Sequence, residues 1–286
     1  MIKYYLSVLL AVIGGSAAVV FGKLATAPSM VLVVYRMAFA SLFLLPLMII
    51  RRKEYKKLNR KSLIFAVFGG IVLGLHFSLF FQGLKLTSVA SASVMCNTQV
   101  VFVAFFSAII LRKRYSVFSY LSIAVAFLGA AIMALFGSSG DGGNLLGDIL
   151  ALVSAAGLAI YTMISSYCRK SMDTGLYTTI TYPMAALTAL IIALVSGNAV
   201  IGYEPINIAA ALGLTVFCTF MGHSLFSFSL KALSPSLVST MQLLDSLFCV
   251  IWGILFFSEI PSVPVVIGGI IATAGVLFFC SINKDN

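Results

Sequence analysis

Apolar residues form long runs along this chain, separated by short polar gaps. A helix needs about 20 mostly apolar residues to cross the hydrocarbon core of a bilayer. The pattern predicts ten such helices, at 4–22, 29–50, 62–83, 90–111, 117–137, 146–168, 175–196, 206–228, 235–257 and 261–282. The chain is therefore predicted to be an all-α integral membrane protein.

The gaps between the runs carry ordinary helix punctuation. Pro28, Pro205, Pro235 and Pro261 stand near predicted helix starts, where a residue without an N–H group is tolerated. The glycine-rich stretch 137–144 lies at the midpoint of the sequence and is the clearest loop. The punctuation thus supports the same division into helices.

Composition agrees with a lipid environment. Hydrophobic residues make up 61% of the 286 residues and charged residues only 9%, whereas soluble domains carry about 25% charged residues.

The five cysteines are scattered and form no C-x-x-C pair, so we expect neither a disulfide framework nor a metal site. The apolar N-terminus resembles a signal peptide but lacks a small-residue cleavage site, which favours a first spanning helix.

The basic residues set the predicted orientation. The formal net charge is +10, and clusters at 51–61 and 112–114 fall in gaps between helices rather than on a soluble basic surface. With the N-terminus inside, fifteen Lys and Arg residues lie on the cytoplasmic side and only Lys23 and Lys85 outside. We therefore expect both termini in the cytoplasm, contact with a lipid bilayer and no nucleic-acid partner.

The two halves of the chain resemble each other weakly. Residues 99–131 align with residues 245–277 at a constant shift of 146. The small residues that coincide include Ala126 with Ala272 and Gly129 with Gly275. The pattern favours an internal repeat of five helices.

An odd number of helices in each half turns the second copy upside down. We predict a first repeat at 1–137, an external linker at 138–145 and a second repeat at 146–286. Ten transmembrane helices in two inverted five-helix repeats are the architecture of secondary transporters, whose substrate site lies near the midplane.

Several short segments resemble EamA-type proteins of the drug/metabolite transporter superfamily. They include Gly14-Gly15-Ser16 in the first helix, Tyr35-Arg36-Met37 in the second and Phe257 to Ser262 before the last. Two A-L-x-x-(T/S)-(S/P)-like segments stand at 84–88 and 231–236. The resemblance covers nearly the whole chain and implies a transporter of amino acids, amines, nucleosides or drugs.

The chain departs from the family pattern in helices four and nine. Family members often carry a proline where this chain has Gln99-Val100 and Asp245-Ser246, and Lys113 occupies the position of a glutamate. The acid remains as Asp245, but without the prolines no proline kink is expected.

Polar residues inside the apolar runs are the candidate site residues, because buried ionisable groups in a membrane are costly. Asp245 and its repeat partner Gln99 are predicted to line a central cavity. There Asp245 can hold a substrate amine or a proton, and Gln99 can bond a carbonyl or hydroxyl group. The alternative is a hydrogen bond that only locks two helices together.

Further candidates carry rings or positive charge. His76 and His223 occupy corresponding helices and either relay protons or pack. Arg36 binds a substrate carboxylate, neutralises Asp245 or extends towards the outer headgroups. The remaining substrate-binding candidates are Asn97, Thr98, Tyr161, Tyr182 and Trp252, each weighed against a packing role.

The function predicted from these residues is secondary active transport of a small metabolite by alternating access in the cell membrane. Family breadth makes export of an amino acid, amine or related compound the first expectation, with proton or ion coupling open. No G-x-x-x-x-G-K-(S/T) motif indicates ATP use, and no cofactor is expected. An intramembrane enzyme and a receptor-like membrane protein are the alternatives, although H-E-x-x-H and G-x-S-x-G are absent. Oligomeric state is left open.

Overall fold

The computed structural model describes residues 2–110, 115–136, 144–242 and 244–282. The basic cluster at 112–114, most of the glycine-rich loop at 137–144 and Lys284 lie outside the described residues. Every sequence prediction placed on them stays a prediction.

Ten helical segments carry most of the described residues, among which no strand is present. They are α1 (Ile2–Leu24), α2 (Ser29–Ile50), α3 (Arg60–Leu86), α4 (Val89–Ile110), α5 (Val117–Phe136), α6 (Leu145–Cys168), α7 (Thr174–Val195), α8 (Pro205–Ser229), α9 (Pro235–Met241 and Leu244–Phe257) and α10 (Val263–Ile282). A single helical turn, Arg52–Tyr55, follows α2.

Each segment coincides with one predicted apolar run to within a few residues. Eight helices are long and apolar enough to cross a membrane, while α5 and α10 carry shorter apolar stretches, Val117–Ile132 and Val263–Phe279. The protein is thus an all-helical, multi-pass membrane protein. That all ten helices cross the membrane stays a prediction.

Two of the helices are interrupted close to the candidate residues. In α4 the regular helix stops at Asn97 and resumes at Gln99. At the interruption the Thr98 hydroxyl donates to the carbonyl of Met95 (2.6 Å), and the Thr98 N–H is shared between the carbonyls of Val94 and Met95. A local tightening therefore breaks α4 without the proline that the family pattern supplies. The break in α9 lies between Met241 and Leu244.

The middle of α8 is a π-helix over Leu214–Ser224. The Thr219 hydroxyl donates to the carbonyl of Leu214, five residues earlier (3.2 Å). Wide turns of this kind are rare and occur frequently at functional sites, because they rotate the side chains that follow. Nothing in the apolar pattern of this run predicts it.

The helices pack in a pattern that pairs the two halves of the chain. The most extensive contacts join α3 with α6 and α5 with α10, followed by those of α7 with α2 and α3. Between α5 and α10 the contacts are reciprocal. A Cβ on Gly129 would lie 2.5 Å from the Gly268 carbonyl, and a Cβ on Gly275 would lie 2.6 Å from the Ala126 nitrogen. Gly129 packs against Ala272, and Gly275 packs against Ala126.

Replacing Gly275 with leucine is expected to destabilise this contact, because even a Cβ overlaps the α5 backbone. Overpacking of this kind costs about 1–3 kcal/mol. The midpoint of thermal unfolding in detergent should fall clearly for Gly275→Leu. Ala124→Leu, at an exposed position of α5, should leave it unchanged. Equal midpoints for both variants would contradict the packing.

An ion network joins the end of α2 to the start of α7. The Arg51 guanidinium donates through Nε to Glu54 Oε1 (2.7 Å) and through Nη1 to Asp173 Oδ1 (2.7 Å). Asp173 also caps α7 by accepting the Leu176 N–H (3.1 Å). The Arg51 hydrogen bonds lower the pKa of the Asp173 carboxyl from 3.8 to about 2.

We expect the network to stabilise the fold above pH 4 and to lose its effect as the pH falls towards 2. The folded-state pKa of Asp173 is depressed, so its contribution is present above the unfolded pKa and disappears through the folded one. Because 43% of the Asp173 side chain is exposed, we expect only about 1 kcal/mol or less. Asp173→Asn keeps the cap. In denaturant titrations the free energy of unfolding of Asp173→Asn should be lower than that of the wild type at pH 7, and the difference should be smaller at pH 3. A difference that does not depend on pH would contradict the role given to the Asp173 carboxylate.

Candidate functional site

A cavity of about 70 Å³ lies among α1, α2, α3, α4, α6, α8 and α9. It brings together six of the ten candidate residues named from the sequence. They are Arg36, His76, Asn97, Gln99, His223 and Asp245.

Arg36 is held in place by the π-helical part of α8. Its Nε donates to the Thr219 hydroxyl (2.7 Å), and the Thr215 hydroxyl donates to its backbone carbonyl (2.9 Å). The guanidinium lies 4.0 Å from the centre of the Phe77 ring, a cation–π distance. The side chain is 1% exposed, and its Nη2 has no hydrogen-bond partner. A buried cation with a free N–H pair is therefore available to an anionic ligand.

Asp245 begins the second part of α9 and is half-buried. Its backbone N–H donates to the Gln242 carbonyl (2.9 Å), and the Cys249 thiol lies 3.4 Å from Oδ2. Gly15 of α1 faces the carboxylate so closely that a Cβ there would lie 3.4 Å from Oδ1. Over the described part of the chain, no salt bridge joins Asp245 to Arg36. The two opposite charges line one cavity without neutralising each other by direct contact.

Two amide side chains bridge α4 and α9 beside the carboxylate. Gln99 Nε2 donates to Gln242 Oε1 (2.6 Å), and Asn97 Nδ2 donates to the Ser246 hydroxyl (2.6 Å). The buried Gln99 Oε1 has no partner. The hydrogen bond to Gln242 fits the interpretation that Gln99 locks α4 to α9. Its free Oε1 can still accept a hydrogen bond from a ligand.

The two histidines lie side by side, with ring centres 6.3 Å apart. His76 Nδ1 lies 2.9 Å from the Ser154 carbonyl, which can only accept, so Nδ1 carries the proton and Nε2 is the remaining acceptor. The His223 ring stands edge-on to Phe77 (4.7 Å). Among the described residues no cluster of three His, Cys, Asp or Glu could hold a metal ion.

Four sequence candidates lie outside the cavity lining: Thr98, at the interruption of α4, and three aromatic residues. The Tyr161 hydroxyl is 3.1 Å from that of Ser227, and the Tyr182 hydroxyl is 2.8 Å from that of Ser224. Trp252 Nε1 donates to the Ser16 hydroxyl (3.1 Å) and so links α9 to α1. In this structure all three join helices, and their predicted contact with a substrate stays a prediction.

The lining also contains residues that the sequence did not single out as site residues. Phe77, Phe80 and Phe226 supply aromatic walls, and Gly15 and Gln242 complete the surroundings of the carboxylate. Of these, only Gln242 carried a usable signal, a second polar side chain three residues before Asp245 inside an apolar run.

The arrangement suits binding rather than covalent chemistry. A cation, an anion and free amide and imidazole acceptors surround a small space with aromatic walls. About 70 Å³ holds about two water molecules at ~30 Å³ each and is far below the ~300–1,000 Å³ of pockets for drug-sized ligands. In this structure the cavity is therefore too small for a drug-sized ligand.

The EamA-like transporter family model matches this chain twice, over residues 2–135 and 145–281. The chain belongs to that family and is a multi-pass membrane transporter. An uncharacterized transporter of Archaeoglobus fulgidus is 27% identical over 85% of this chain and 84% of its own length. The pseudopaline exporter CntI of Pseudomonas aeruginosa is 25% identical over 91% and 89%. A crystal structure with 16% identity superposes with a TM-score of 0.70 over 98% of this chain and 97% of its own, so the fold is shared.

Proposed function

We propose that this protein is a secondary active transporter that carries a small zwitterionic metabolite of the amino-acid class. The supporting observation is that Arg36 and Asp245 line one cavity without a salt bridge between them, while Arg36 Nη2 lacks a partner. In this proposal Arg36 holds the substrate carboxylate and Asp245 holds its ammonium group.

The energetics of buried charge favour a ligand that carries both charges. An isolated charge in a low-dielectric interior costs several kcal/mol after relaxation, by order of magnitude, unless it is paired and hydrogen-bonded. The arginine fork suits a carboxylate, because it presents parallel N–H donors at a fixed spacing. Gln99 Oε1 and His76 Nε2 can accept hydrogen bonds from further donor groups of the ligand. The phenylalanine rings that line the cavity suit an apolar substituent.

Alternating access follows from the proposed inverted repeat of residues 1–137 and 146–286. The two matches to the family model and the reciprocal α5–α10 contact are what a two-fold relation between halves would produce. Two such halves can exchange conformations and so open the same cavity to either side. We place both termini in the cytoplasm and the protein in the cell membrane, from the distribution of Lys and Arg.

Export is the proposed direction, supported by the name of the exporter from Pseudomonas aeruginosa. In the absence of an ATP-binding motif, the driving force is a proton or ion gradient or the substrate's own gradient. The two relatives described above are named as a transporter and an exporter. These names favour the transport interpretation over an intramembrane enzyme or a receptor-like protein.

Binding of matched ligand sets tests the zwitterion proposal. Thermal shift of the purified protein is measured with amino acids, their methyl esters and their N-acetyl derivatives. The ester removes the negative charge and the acetyl group removes the positive charge. We expect at least one free amino acid to bind about 30-fold or more tightly than both derivatives, a factor that corresponds to one lost buried charge pair of about 2 kcal/mol. Equal or tighter binding of either derivative across the set would overturn the proposal.

A further inference from the structure

A groove of about 440 Å³ runs along the membrane-facing side of α9 and α10, with α4 forming its third wall. Its lining is almost entirely apolar and includes Val94, Val250 and Val265. Leu247 and Ile270 line it as well and are 63% and 64% exposed. In the predicted ten-helix topology these helices cross the membrane, so the medium at the groove is hydrocarbon rather than water.

Two residues of α10 that line the groove are smaller than their counterparts in the first half. At the shift of 146 residues, Thr273 corresponds to Phe127 and Ala274 to Leu128. In the first half Phe127 packs edge-on against Phe102, with ring centres 5.8 Å apart. The smaller residues of α10 line the open groove instead.

One end of the groove opens beside a pair of opposite charges. Ala90, Val250 and Pro261 are shared with a second cavity, of about 320 Å³, which Glu259 also lines. Glu259 pairs with Lys23, and both side chains are partly exposed. The apolar groove therefore ends, at the α9–α10 connection, in a polar mouth where lipid headgroups lie.

The other end is closed towards the central cavity. Ser246 and Thr273 line the groove and also a small space that touches Asn97. The hydrogen bond between Asn97 and Ser246 (2.6 Å) stands between that space and the central cavity. The groove is therefore a cleft separate from the proposed substrate cavity.

We propose that this groove is a binding site for one acyl chain of a membrane phospholipid, with the headgroup at the Lys23–Glu259 pair. The groove residues of α10, from Val265 to Leu277, cover about 18 Å of helix length, more than the ~15 Å depth of one hydrocarbon leaflet. The groove thus offers a chain the whole depth of the leaflet next to the α9–α10 connection. The Lys23 ammonium complements the phosphate, and the carboxylate of Glu259 complements an amine-bearing headgroup. The site is independent of which molecule is transported.

Photolabelling of the full-length protein tests the site. The protein is reconstituted in vesicles that contain a phosphatidylethanolamine with a diazirine in one acyl chain. After irradiation, labelled peptides are mapped by mass spectrometry. We expect adducts concentrated on the groove residues of α9 and α10.

Thr273→Phe restores the first-half side chain and should reduce that labelling about fivefold or more, as for a site weakened by overpacking. Ala274→Leu fills less of the groove and serves as the test if Thr273→Phe folds poorly. Leu255→Phe, exposed on α9 and outside the groove, should label as the wild type does. Even labelling of all exposed helices, unchanged labelling in the filled variants, or α10–α10 cross-links between two copies would overturn the proposal. Since no transport is measured, a failed transport proposal leaves this result intact.

Discussion

Asp245→Asn is expected to abolish gradient-driven accumulation of substrate while the protein still folds and inserts. Asparagine keeps the side-chain volume but removes the charge that the proposal pairs with the substrate ammonium. Losing one partner of a buried charge pair costs about 2–5 kcal/mol, which is a loss of binding of about 30-fold or more.

The measurement is substrate affinity and uptake against a gradient in proteoliposomes, for wild type and variant. Asp148→Asn is the matched control, since Asp148 is a second helical acid, fully buried, whose carboxylate accepts hydrogen bonds from Ser91 (2.6 Å) and Thr87 (2.8 Å) outside the central cavity. It should leave affinity within about threefold, the change that ~0.6 kcal/mol produces. If Asp245→Asn binds weakly, the carboxylate holds substrate. If it binds and exchanges but does not accumulate, the carboxylate carries the coupling proton. Wild-type transport by a well-folded Asp245→Asn protein would leave only a structural role.

Arg36→Gln is expected to remove the preference for a free carboxylate. The glutamine retains a polar group near Thr219 but has neither the charge nor the free N–H pair that Nη2 presents. Affinity for the zwitterion should fall by about 30-fold or more, again from the loss of a buried charge pair. Affinity for the methyl ester, which has no carboxylate, should change much less.

Arg36→Lys is the informative companion variant, because lysine keeps the charge and loses the planar fork. We expect its affinity for the zwitterion to lie between those of the wild type and Arg36→Gln. If Arg36→Gln weakens ester and free acid equally, the arginine serves the packing of α2 against α8 and does not recognise a carboxylate.

The positions of the helices were predictable because each membrane-spanning helix needs about 20 mostly apolar residues. A run such as 29–50 is bounded by Pro28 and a basic cluster, and α2 occupies the same residues in the structure. A polar side chain inside an apolar run needs a partner or a function. For this reason the sequence already pointed to three residues of the cavity lining, Asp245, Gln99 and Arg36. These signals depend on composition and length, which a single sequence carries plainly.

The inward faces of the helices were not predictable, because in lipid both faces of a helix are apolar. Phe77 lines the cavity and Phe105 is exposed, yet the sequence around them does not tell them apart. The same ambiguity applies to Tyr161 and Tyr182, whose hydroxyls lie within hydrogen-bond distance of serines on α8. Their contact with a substrate stays a prediction. The π-helix of α8 and the break at Thr98 depend on local backbone bonding, which the apolar pattern does not encode.

Counterflow in sealed liposomes separates transport of a zwitterion from every alternative considered above. Purified wild-type protein is reconstituted in vesicles loaded with an excess of one unlabelled amino acid from the ligand screen, without nucleotide or imposed ion gradient. A trace of the same labelled compound is added outside. Transient accumulation of unchanged label inside the vesicles, absent in Asp245→Asn and Arg36→Gln proteins, is the result predicted here. Chemically altered label, or no accumulation for any zwitterion that binds, would contradict it.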